Sequence, residues 1–188
     1  MEENHIVSII DAHMRVAENL KSLSPQLAAI CRVCGDAISR GNKILLAGNG
    51  GSAADAQHIA AEFTGRFVKE RHALAAIALT TDTSALTAIA NDYGFREVFA
   101  RQLAALGNRG DVFIAISTSG NSPSIVRAQQ VAKEKQIITI GFLGNNGGAL
   151  AQTVDHALIV PSHVTARIQE MHILAGHILC EYVDNVTI

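Results

Sequence analysis

The sequence has few of the features that disulfide-rich, membrane-spanning or nucleic-acid-binding proteins need. It contains no tryptophan, three prolines and three cysteines in 188 residues, and an odd, small number of cysteines excludes a disulfide scaffold. No run approaches the roughly 18 apolar residues of a transmembrane helix. The net charge of −2 provides no basic surface for nucleic acid or for an anionic membrane. We therefore expect a globular protein whose partners are small molecules or other proteins.

The first residues also lack the basic start and the apolar core, about 7 to 15 residues long, of a secretory signal. We therefore expect a cytoplasmic protein. With 48% hydrophobic and 17% charged residues, the chain can bury a substantial core, and its length suits one domain over residues 1–188. Cys31 and Cys34 form a Cys-x-x-Cys pair within a helical pattern. Because no second pair accompanies it, we expect buried apolar side chains and not a redox or zinc site.

A strand, a glycine loop and a helix follow one another in residues 43–67. Residues 43–47 predict a buried strand, Gly48 to Gly51 a loop, and Ser52 onward a helix. A helix N-terminus offers unpaired N–H groups and partial positive charge, and glycines let the backbone approach a ligand closely. The segment therefore suits a phosphate or another oxyanion, although a tight turn without a ligand would have the same pattern.

His58 and Glu62 lie one turn apart on the same face of this helix. An imidazole and a carboxylate at this spacing can bind a metal ion or act as an acid and base. The alternative is a solvated pair on an exposed face. The many alanines argue against that alternative, because a helix so bare of bulk packs closely and leaves little face exposed. They are Ala53, Ala54, Ala56, Ala60 and Ala61.

Strand and helix patterns alternate along the rest of the chain. Further strands are predicted at residues 75–79, 112–117, 137–142 and 157–160. The alternation predicts an α/β fold with a doubly wound, parallel, five-stranded sheet flanked by helices. In such sheets ligands lie outside the carboxyl ends of the strands.

Two helices precede the first strand, within residues 1–41. The first has an apolar stripe, and the second is expected to begin with Ser24 as its cap and Pro25 in its first turn, and to end at Gly41. The two helices have more apolar surface than one sheet edge needs. We therefore expect them to pack against copies of themselves in an oligomer.

A polar loop follows the third strand, where Ser117, Thr118, Ser119 and Ser122 lead into a helix that starts at Pro123. Hydroxyl donors beside a helix N-terminus suit a phosphate monoester. The alternative is that these serines only cap the helix and form turns.

Two further segments allow two interpretations each. Ser84 is expected to cap a short helix through Ile89, after which residues 91–94 predict a turn; Asn91 and Asp92 could equally meet sugar hydroxyls. The last helix, residues 165–186, contains His177 between apolar neighbours. A histidine so placed is more often a core residue than a ligand.

Four motifs change the interpretation of these segments. The segments GNGGSAADAQHIAAEFTGR, TTDTSALTAIANDYGF, ISTSGNSPS and ARIQEMHILAGH occur in this order. In sequence and spacing they resemble the phosphoheptose isomerases of the sugar isomerase (SIS) fold. The resemblance implies conversion of sedoheptulose 7-phosphate to D-glycero-D-manno-heptose 7-phosphate, the first step of ADP-heptose synthesis for lipopolysaccharide. It also implies a homotetramer with active sites between subunits and one zinc ion per subunit.

The resemblance also assigns site residues, matched position by position. It assigns to the metal His58, Glu62, Gln169 and His177. It assigns to the substrate Asn49, Gly50, Gly51, Ser52, Glu62, Asn91, Asp92, Ser117, Thr118, Ser119, Ser122 and Gln169. For an enediol mechanism, Glu62 and His177 are the expected proton-transfer residues.

Helix geometry makes one of these assignments difficult. Gln169 and His177 are about 12 Å apart along a regular helix and about 80° apart around it. Both can meet one ion only if the helix start is frayed or distorted, so His58, Glu62 and His177 are the firmer metal ligands.

A different function is also compatible with parts of the chain. One branch of the same fold lacks isomerase chemistry and binds the bacterial replication initiator as a tetramer, and TAIAND and ARIQEMH resemble that branch too. A non-catalytic sensor of sugar phosphates is a third possibility. Glu62 and His177 discriminate between them, since neither alternative needs a carboxylate and an imidazole directed at one point. Their presence favours the enzyme.

Overall fold

The structure, a computed structural model, describes residues 2–186 and alternates helices with strands. The helices are α1 (Glu3–Leu20), α2 (Ser24–Ser39), α3 (Gly51–Thr64), α4 (Thr83–Tyr93), α5 (Val98–Leu106), α6 (Pro123–Glu134) and α7 (Thr165–Val186). The strands are β1 (Ile44–Ala47), β2 (Ala76–Ala78), β3 (Val112–Ser117), β4 (Ile138–Leu143) and β5 (His156–Ile159). Each predicted strand is present, with both ends within one residue of the prediction.

The five strands form one parallel sheet in the order β2-β1-β3-β4-β5. Ile44 of β1 is in register with Ala76 of β2 on one side and with Val112 of β3 on the other. The prediction of a doubly wound, parallel, five-stranded α/β sheet with two leading helices is therefore confirmed. Because the chain moves outward in opposite directions from β1 and β3, the switch point of the topology lies between these two strands.

Helices cover both faces of the sheet. Every residue of β1 and of β3 is buried, as expected for parallel strands packed on both faces. Helices α2, α3 and α7 pack on one face and form one apolar cluster with it, whereas α5 and α6 form a second cluster on the other face. The sheet therefore holds its loops between two layers of helices.

Helices α3 and α7 cross at close range. A Cβ atom added to Gly176 of α7 would lie 2.5 Å from the Cδ1 atom of Ile59 of α3. Only a residue without a side chain allows this approach, because separations this short do not occur between carbon atoms that are not bonded. The crossing brings the exposed rims of the two helices together.

Some local predictions were wrong. Ser24 does not cap α2, because a 3₁₀ turn at Lys21–Leu23 joins α1 to α2 and Ser24 already has helical dihedral angles. Gly41, with φ of +80°, does follow the end of α2 as predicted. Cys31 and Cys34 are buried and free, and burial raises the pKa of Cys31 to about 11. The prediction of buried, apolar cysteines is therefore confirmed.

Helix α4 also differs from the prediction. Its cap is Asp82, whose carboxylate accepts a hydrogen bond from the N–H of Ala85 at 2.9 Å. The helix then continues through Asn91 and Asp92 and ends where Gly94 has φ of +86°. The predicted cap at Ser84 and the predicted turn at Asn91 were wrong, because the backbone turns into the helix after Asp82, two positions earlier, and the glycine terminates the helix.

Helix α1 leaves five large apolar side chains in solvent: Ile6, Val7, Ile9, Ile10 and Met14. Their exposed fractions run from 38% for Ile9 to 61% for Met14. Within residues 2–186, no helix is both long and apolar enough to cross a membrane.

A buried ion pair lies at the amino end of the sheet, between Lys43 and Asp111. The Lys43 ammonium donates to the Asp111 carboxylate at 2.6 Å, and the backbone N–H groups of Lys43 and Asn108 donate to it as well. The Asp111 side chain is 2% exposed. Burial alone would raise the pKa of Asp111, but these hydrogen bonds and the Lys43 charge hold it below its ordinary value.

We expect Asp111→Asn to lower the free energy of unfolding by about 3 kcal/mol at neutral pH, because the half-buried Lys43 ammonium loses its counter-charge. Since the pKa of Asp111 is depressed in the folded state, its stabilisation is complete above about pH 4 and is lost as the pH falls toward the folded-state value. Denaturant titrations at several pH values measure this difference.

The exposed Asp36 of α2 provides the control. Asp36→Asn should change the free energy of unfolding by less than about 0.5 kcal/mol. A difference between wild type and Asp111→Asn that stays constant from neutral pH into acid would contradict the ion-pair interpretation.

Candidate functional site

The loops that follow β1 and β3 lie side by side at the switch point of the sheet. Open α/β sheets leave a crevice at this position, outside the carboxyl ends of the strands. The first loop is residues 48–51 and the second is residues 117–122. Both lead directly into helices, α3 and α6 respectively.

The first loop is held in a tight conformation and is tied to the second. Gly48 is buried, and a Cβ atom there would lie 2.4 Å from the carbonyl oxygen of Ser52. Gly50 precedes α3 with φ of +58°. The side-chain amide of Asn49 donates to the Ser124 hydroxyl of α6 at 3.0 Å. This hydrogen bond fixes the first loop relative to the start of α6.

The second loop concentrates hydroxyl groups. The Ser117 and Ser122 hydroxyls lie 3.1 Å apart and share a hydrogen bond. The Ser119 hydroxyl accepts from the N–H of Asn121. Ser122 makes no side-chain cap to α6 within the described structure, so its hydroxyl is not used by the helix. The loop therefore presents hydroxyls and a helix N-terminus at one place, which suits a phosphate group.

The loop that follows β4 packs directly on the second loop. A Cβ atom at Gly120 would lie 1.9 Å from the carbonyl oxygen of Gly147, and the Asn145 amide donates to the carbonyl of Thr118 at 2.8 Å. The second loop is thus supported from both neighbouring strands.

Two histidines and a carboxylate come together on the rims of α3 and α7. The Nε2 atoms of His58 and His177 are 2.9 Å apart, and the Nε2 atom of His58 is 3.4 Å from Glu62 Oε1. Because an N–H···N hydrogen bond needs one donor and one acceptor, only one of the facing nitrogens holds the proton. The ring of Phe67 packs 5.3 Å from that of His177. His177 is therefore not a buried core histidine but a member of the predicted cluster.

The buried histidine of α7 is His172. Its Nε2–H donates to the carbonyl of Leu143 at 3.0 Å, where β4 ends. Burial lowers the pKa of His172 to about 4, against the opposing effect of that hydrogen bond. His172 thus stays neutral and attaches α7 to the carboxyl edge of the sheet.

Gln169 lies in the N-terminal part of α7, beside the first loop, whereas His177 lies about two turns further along the same helix. A Cβ atom at Gly51 would lie 2.5 Å from Gln169 Nε2. Helix α7 is uninterrupted from Thr165, so Gln169 is neither at a frayed start nor in a distorted turn and lies about 12 Å along the axis from His177. Contact of Gln169 with the substrate or with a metal stays a prediction.

Within residues 2–186, no three histidine, cysteine, aspartate or glutamate side chains are already arranged to hold a metal ion. The assignment of His58, Glu62 and His177 as ligands therefore stays a prediction.

Asn91 and Asp92 are exposed in the last turn of α4. The Asn91 amide donates to the Asp92 carboxylate at 2.8 Å. Their contact with a substrate stays a prediction.

Two side chains near the site were missed from the sequence. Asp55, one turn before His58, has a buried carboxylate oxygen with no hydrogen-bond partner in the described structure. Burial raises the pKa of Asp55 to about 6, and the nearby His58 lowers it in part. The spacing of Asp55 to His58 could have indicated it. Ser124, which holds Asn49, gave no sequence signal beyond its place at a helix start.

A doubly wound sheet with polar loops at its switch point defines a ligand-binding α/β domain, and the clustered imidazoles and carboxylate are groups that enzymes use to move protons. Comparison with known proteins is consistent with that class. The SIS domain family matches residues 10–144.

Individual relatives narrow the class. The phosphoheptose isomerase of Campylobacter jejuni is 55% identical over 172 residues, which cover 92% of this chain and 92% of the relative. The structure of phosphoheptose isomerase GmhA from Neisseria gonorrhoeae superimposes with a TM-score of 0.93 at 43% identity, covering 97% of this chain and 98% of that one. A phosphoheptose isomerase from Francisella tularensis gives 0.94 at 37% identity, with 98% and 100% covered.

The chain belongs to the SIS domain family and, within it, to the phosphoheptose isomerases. The family and the isomerase class predicted from the four motifs are therefore confirmed. The assignment of all of residues 1–188 to one domain, and of residues 1–41 to oligomer packing, stays a prediction.

The first loop allows a test of its conformation. We expect Gly48→Ala to destabilise the protein by about 2 to 3 kcal/mol, because its Cβ has no room beside the Ser52 backbone. Gly41→Ala is the control: it incurs about 1 kcal/mol from its positive φ alone, since a Cβ there meets nothing within 4 Å. Thermal unfolding measures the stability of the two variants relative to wild type. Equal stability would contradict the tight packing of Gly48.

Proposed function

We propose that this protein converts sedoheptulose 7-phosphate to D-glycero-D-manno-heptose 7-phosphate, the first step toward ADP-heptose for the lipopolysaccharide core. The observation that carries the proposal is the cluster of Glu62 with His58 and His177, beside loops suited to phosphate. The similarity to phosphoheptose isomerases supports the same substrate class. A replication-initiator-binding protein or a sensor has no use for such a cluster.

The phosphate is proposed to bind at the second loop. The hydroxyls of Ser117, Thr118, Ser119 and Ser122 and the N-terminus of α6 supply neutral donors there. The Asn49–Ser124 hydrogen bond places the first loop beside it. The backbone of Gly50, Gly51 and Ser52 is thereby available for the sugar chain, with Asn91, Asp92 and Gln169 as further candidates for its hydroxyls.

The reaction is an aldose–ketose isomerisation through an enediol. A base removes a proton from C1 of the ketose, and the C2 carbonyl oxygen gains a proton, so that a C1–C2 double bond carries two hydroxyls. The C1 hydroxyl then loses its proton as C2 gains one, which yields the aldehyde at C1. No oxidant or reductant is needed, since only protons move.

Glu62 and His177 are the proposed proton-transfer residues. Glu62 is partly buried and, as a carboxylate, can accept the C1 proton and return it to C2. His177 can carry a proton to and from the substrate oxygens, because an imidazole titrates near neutral pH and the hydrogen bond to His58 orients its ring. Both groups lie on helices and not on loops, which holds their relative position.

We also propose one zinc ion per subunit, held by His58, Glu62 and His177, with Gln169 as a fourth candidate. Two imidazoles and a carboxylate are a donor set that zinc prefers. Bound there, zinc would supply Lewis-acid stabilisation of the substrate oxygens. A carboxylate or an imidazole that coordinates a metal is a weaker base, so Glu62 and His177 would transfer protons through the atoms that do not face the metal. The cytoplasm is the proposed location.

The proposed function is tested by incubating the purified protein with sedoheptulose 7-phosphate in D₂O and following the products by NMR. We expect new aldose with deuterium at C2, because the transferred proton exchanges with solvent at the base. A chelator should stop the reaction and zinc should restore it. No turnover and no exchange by folded, zinc-supplied protein would contradict the isomerase.

The same assay tests Glu62. Glu62→Gln removes the base but keeps the shape of the side chain, so we expect turnover to fall at least about a hundredfold. Glu181→Gln, at an exposed glutamate of α7, should leave turnover unchanged. An active Glu62→Gln variant would exclude Glu62 as the base.

We propose a homotetramer, because α1 exposes a continuous apolar face. Ile6, Val7, Ile10 and Met14 of α1 are each 47% to 61% exposed. Leu174 and Ile178 of α7 are each 38% exposed, and both line an apolar groove with Leu20 and Leu27. A surface of this kind on a small protein indicates an association site.

Native mass spectrometry at micromolar concentration tests the tetramer. Four chains of 19.9 kDa should give a mass of about 80 kDa. Ile10→Lys should shift the protein to smaller species, because it places a charge on the apolar face of α1. Leu106→Lys, at a 43% exposed residue of α5, is the control and should not. A single-chain mass for the wild type would exclude the tetramer.

A further inference from the structure

Behind the histidine cluster lies a fully buried ion pair between Arg71 and Asp184, which the reaction does not use. We propose that Asp184, acting with Arg71, is a positioning residue pair that sets the geometry of Glu62 and His177. This inference rests on the proposed function. It concerns residues that do not touch the substrate.

Asp184 lies on the same face of α7 as His177, two turns further along. Its carboxylate accepts hydrogen bonds from the backbone N–H groups of Val68 at 2.8 Å and Lys69 at 2.9 Å. A third hydrogen bond comes from Arg71 Nε at 2.6 Å. The side chain is 1% exposed. Asp184 therefore binds the segment of residues 67–71, which follows α3, to the end of α7.

Arg71 connects the same carboxylate to the C-terminal end of α3. Its guanidinium donates to the carbonyl oxygens of Glu62 at 2.8 Å and Phe63 at 2.9 Å. These are carbonyls of the last helical turns, which otherwise lack donors from within a helix. Glu62, whose carboxylate is the proposed base, thus has its own backbone carbonyl held by Arg71.

The bound segment also reaches His177. Phe67 immediately precedes Val68, whose N–H group is held by Asp184, and the Phe67 ring packs on the His177 ring at 5.3 Å. Asp184 therefore acts on both members of the proton-transfer pair, on Glu62 through Arg71 and on His177 through Phe67. The second loop, where the phosphate is proposed to bind, leads from β3 into α6. Within residues 2–186 it has no contact of this kind with Arg71 or Asp184.

Asp184 stays ionised in the folded protein. Burial alone would raise the pKa of Asp184, but the hydrogen bonds from Lys69, Val68 and Arg71 hold it below its ordinary value. The carboxylate is thus ionised throughout the neutral range in which the enzyme would be assayed.

The chain contains a matched control at the opposite end of the sheet. Asp111 pairs with Lys43 at the same distance of 2.6 Å, is 2% exposed and also accepts two backbone N–H groups. The two carboxylates are therefore alike in burial, in the length of the ion pair and in backbone contacts, although the cation is a lysine for Asp111 and an arginine for Asp184. Only Asp184 is connected to α3 and α7 near the histidines.

The test compares the steady-state kinetics of wild type, Asp184→Asn and Asp111→Asn with sedoheptulose 7-phosphate. We expect kcat of Asp184→Asn to fall about a hundredfold, because a displacement near 1 Å of reacting groups has that effect. KM should change little, since the substitution does not alter the second loop, where the phosphate is proposed to bind. Asp111→Asn should keep both constants near wild type. Asp184→Glu, which retains the charge, should recover part of the lost kcat.

A second measurement does not depend on turnover. In the metal-free protein with ¹⁵N-labelled histidine, the His58–His177 hydrogen bond gives a ¹⁵N–¹⁵N coupling across its two Nε2 atoms. We expect the coupling in wild type and in Asp111→Asn and its loss in Asp184→Asn. If wild type showed the coupling but no turnover, the proposed function would fail while the positioning inference would still be judged by the coupling.

Two results would overturn the inference. One is an Asp184→Asn variant that keeps both its kcat and the coupling. The other is a loss of kcat or of the coupling in Asp111→Asn as large as the loss in Asp184→Asn. That result would mean that removing any buried ion pair lowers kcat or the coupling through stability alone. If Asp184→Asn does not fold, Asp184→Glu and Asp111→Glu carry the same comparison.

Discussion

The close crossing of α3 and α7 is the constraint on which the candidate site depends. Gly176 lets Ile59 approach to a distance that no side chain would permit, and only at that distance can His58 and His177, 119 positions apart in the chain, share a hydrogen bond. The crossing rests on an apolar contact, whose free energy comes from area removed from water, and on the absence of one Cβ.

The sheet positions a second part of the site, the two loops at its switch point. The first loop connects this part to the histidine cluster. β1 delivers its chain into residues 48–51, which start α3, so the helix that carries His58 and Glu62 begins at the switch point itself. The second loop reaches the same place from β3 and is tied to the first by Asn49 and Ser124. Along α3, His58 lies two turns and roughly 10 Å from Gly51, and Glu62 lies one turn further, so the first loop and the cluster are held at a fixed separation by one helix.

The sequence predicted the features that depend on local patterns. Buried strands such as Val112–Ser117 are uniformly apolar runs, and their alternation with helices determines a parallel sheet. The cap of α4 was missed because Asp82 and Ser84 both suit the position, and the choice depends on where the backbone turns. The surroundings of His177 could not be predicted from its own neighbours, because its polar contact comes from another helix. Arg71 and Asp184 were missed for the same reason, being 113 positions apart.

The buried polar groups of this protein divide by how well they are satisfied. Asp111 and Asp184 each accept several hydrogen bonds and a cation, which is how a buried charge avoids its desolvation penalty. Asp55, beside the histidines, has a buried oxygen without a hydrogen-bond partner in residues 2–186, and its pKa is raised to about 6. Folding alone would favour an apolar residue there. A carboxylate kept at such a position near the His58 imidazole is typical of a functional site, where the surrounding satisfied network supports an arrangement that is locally unfavourable.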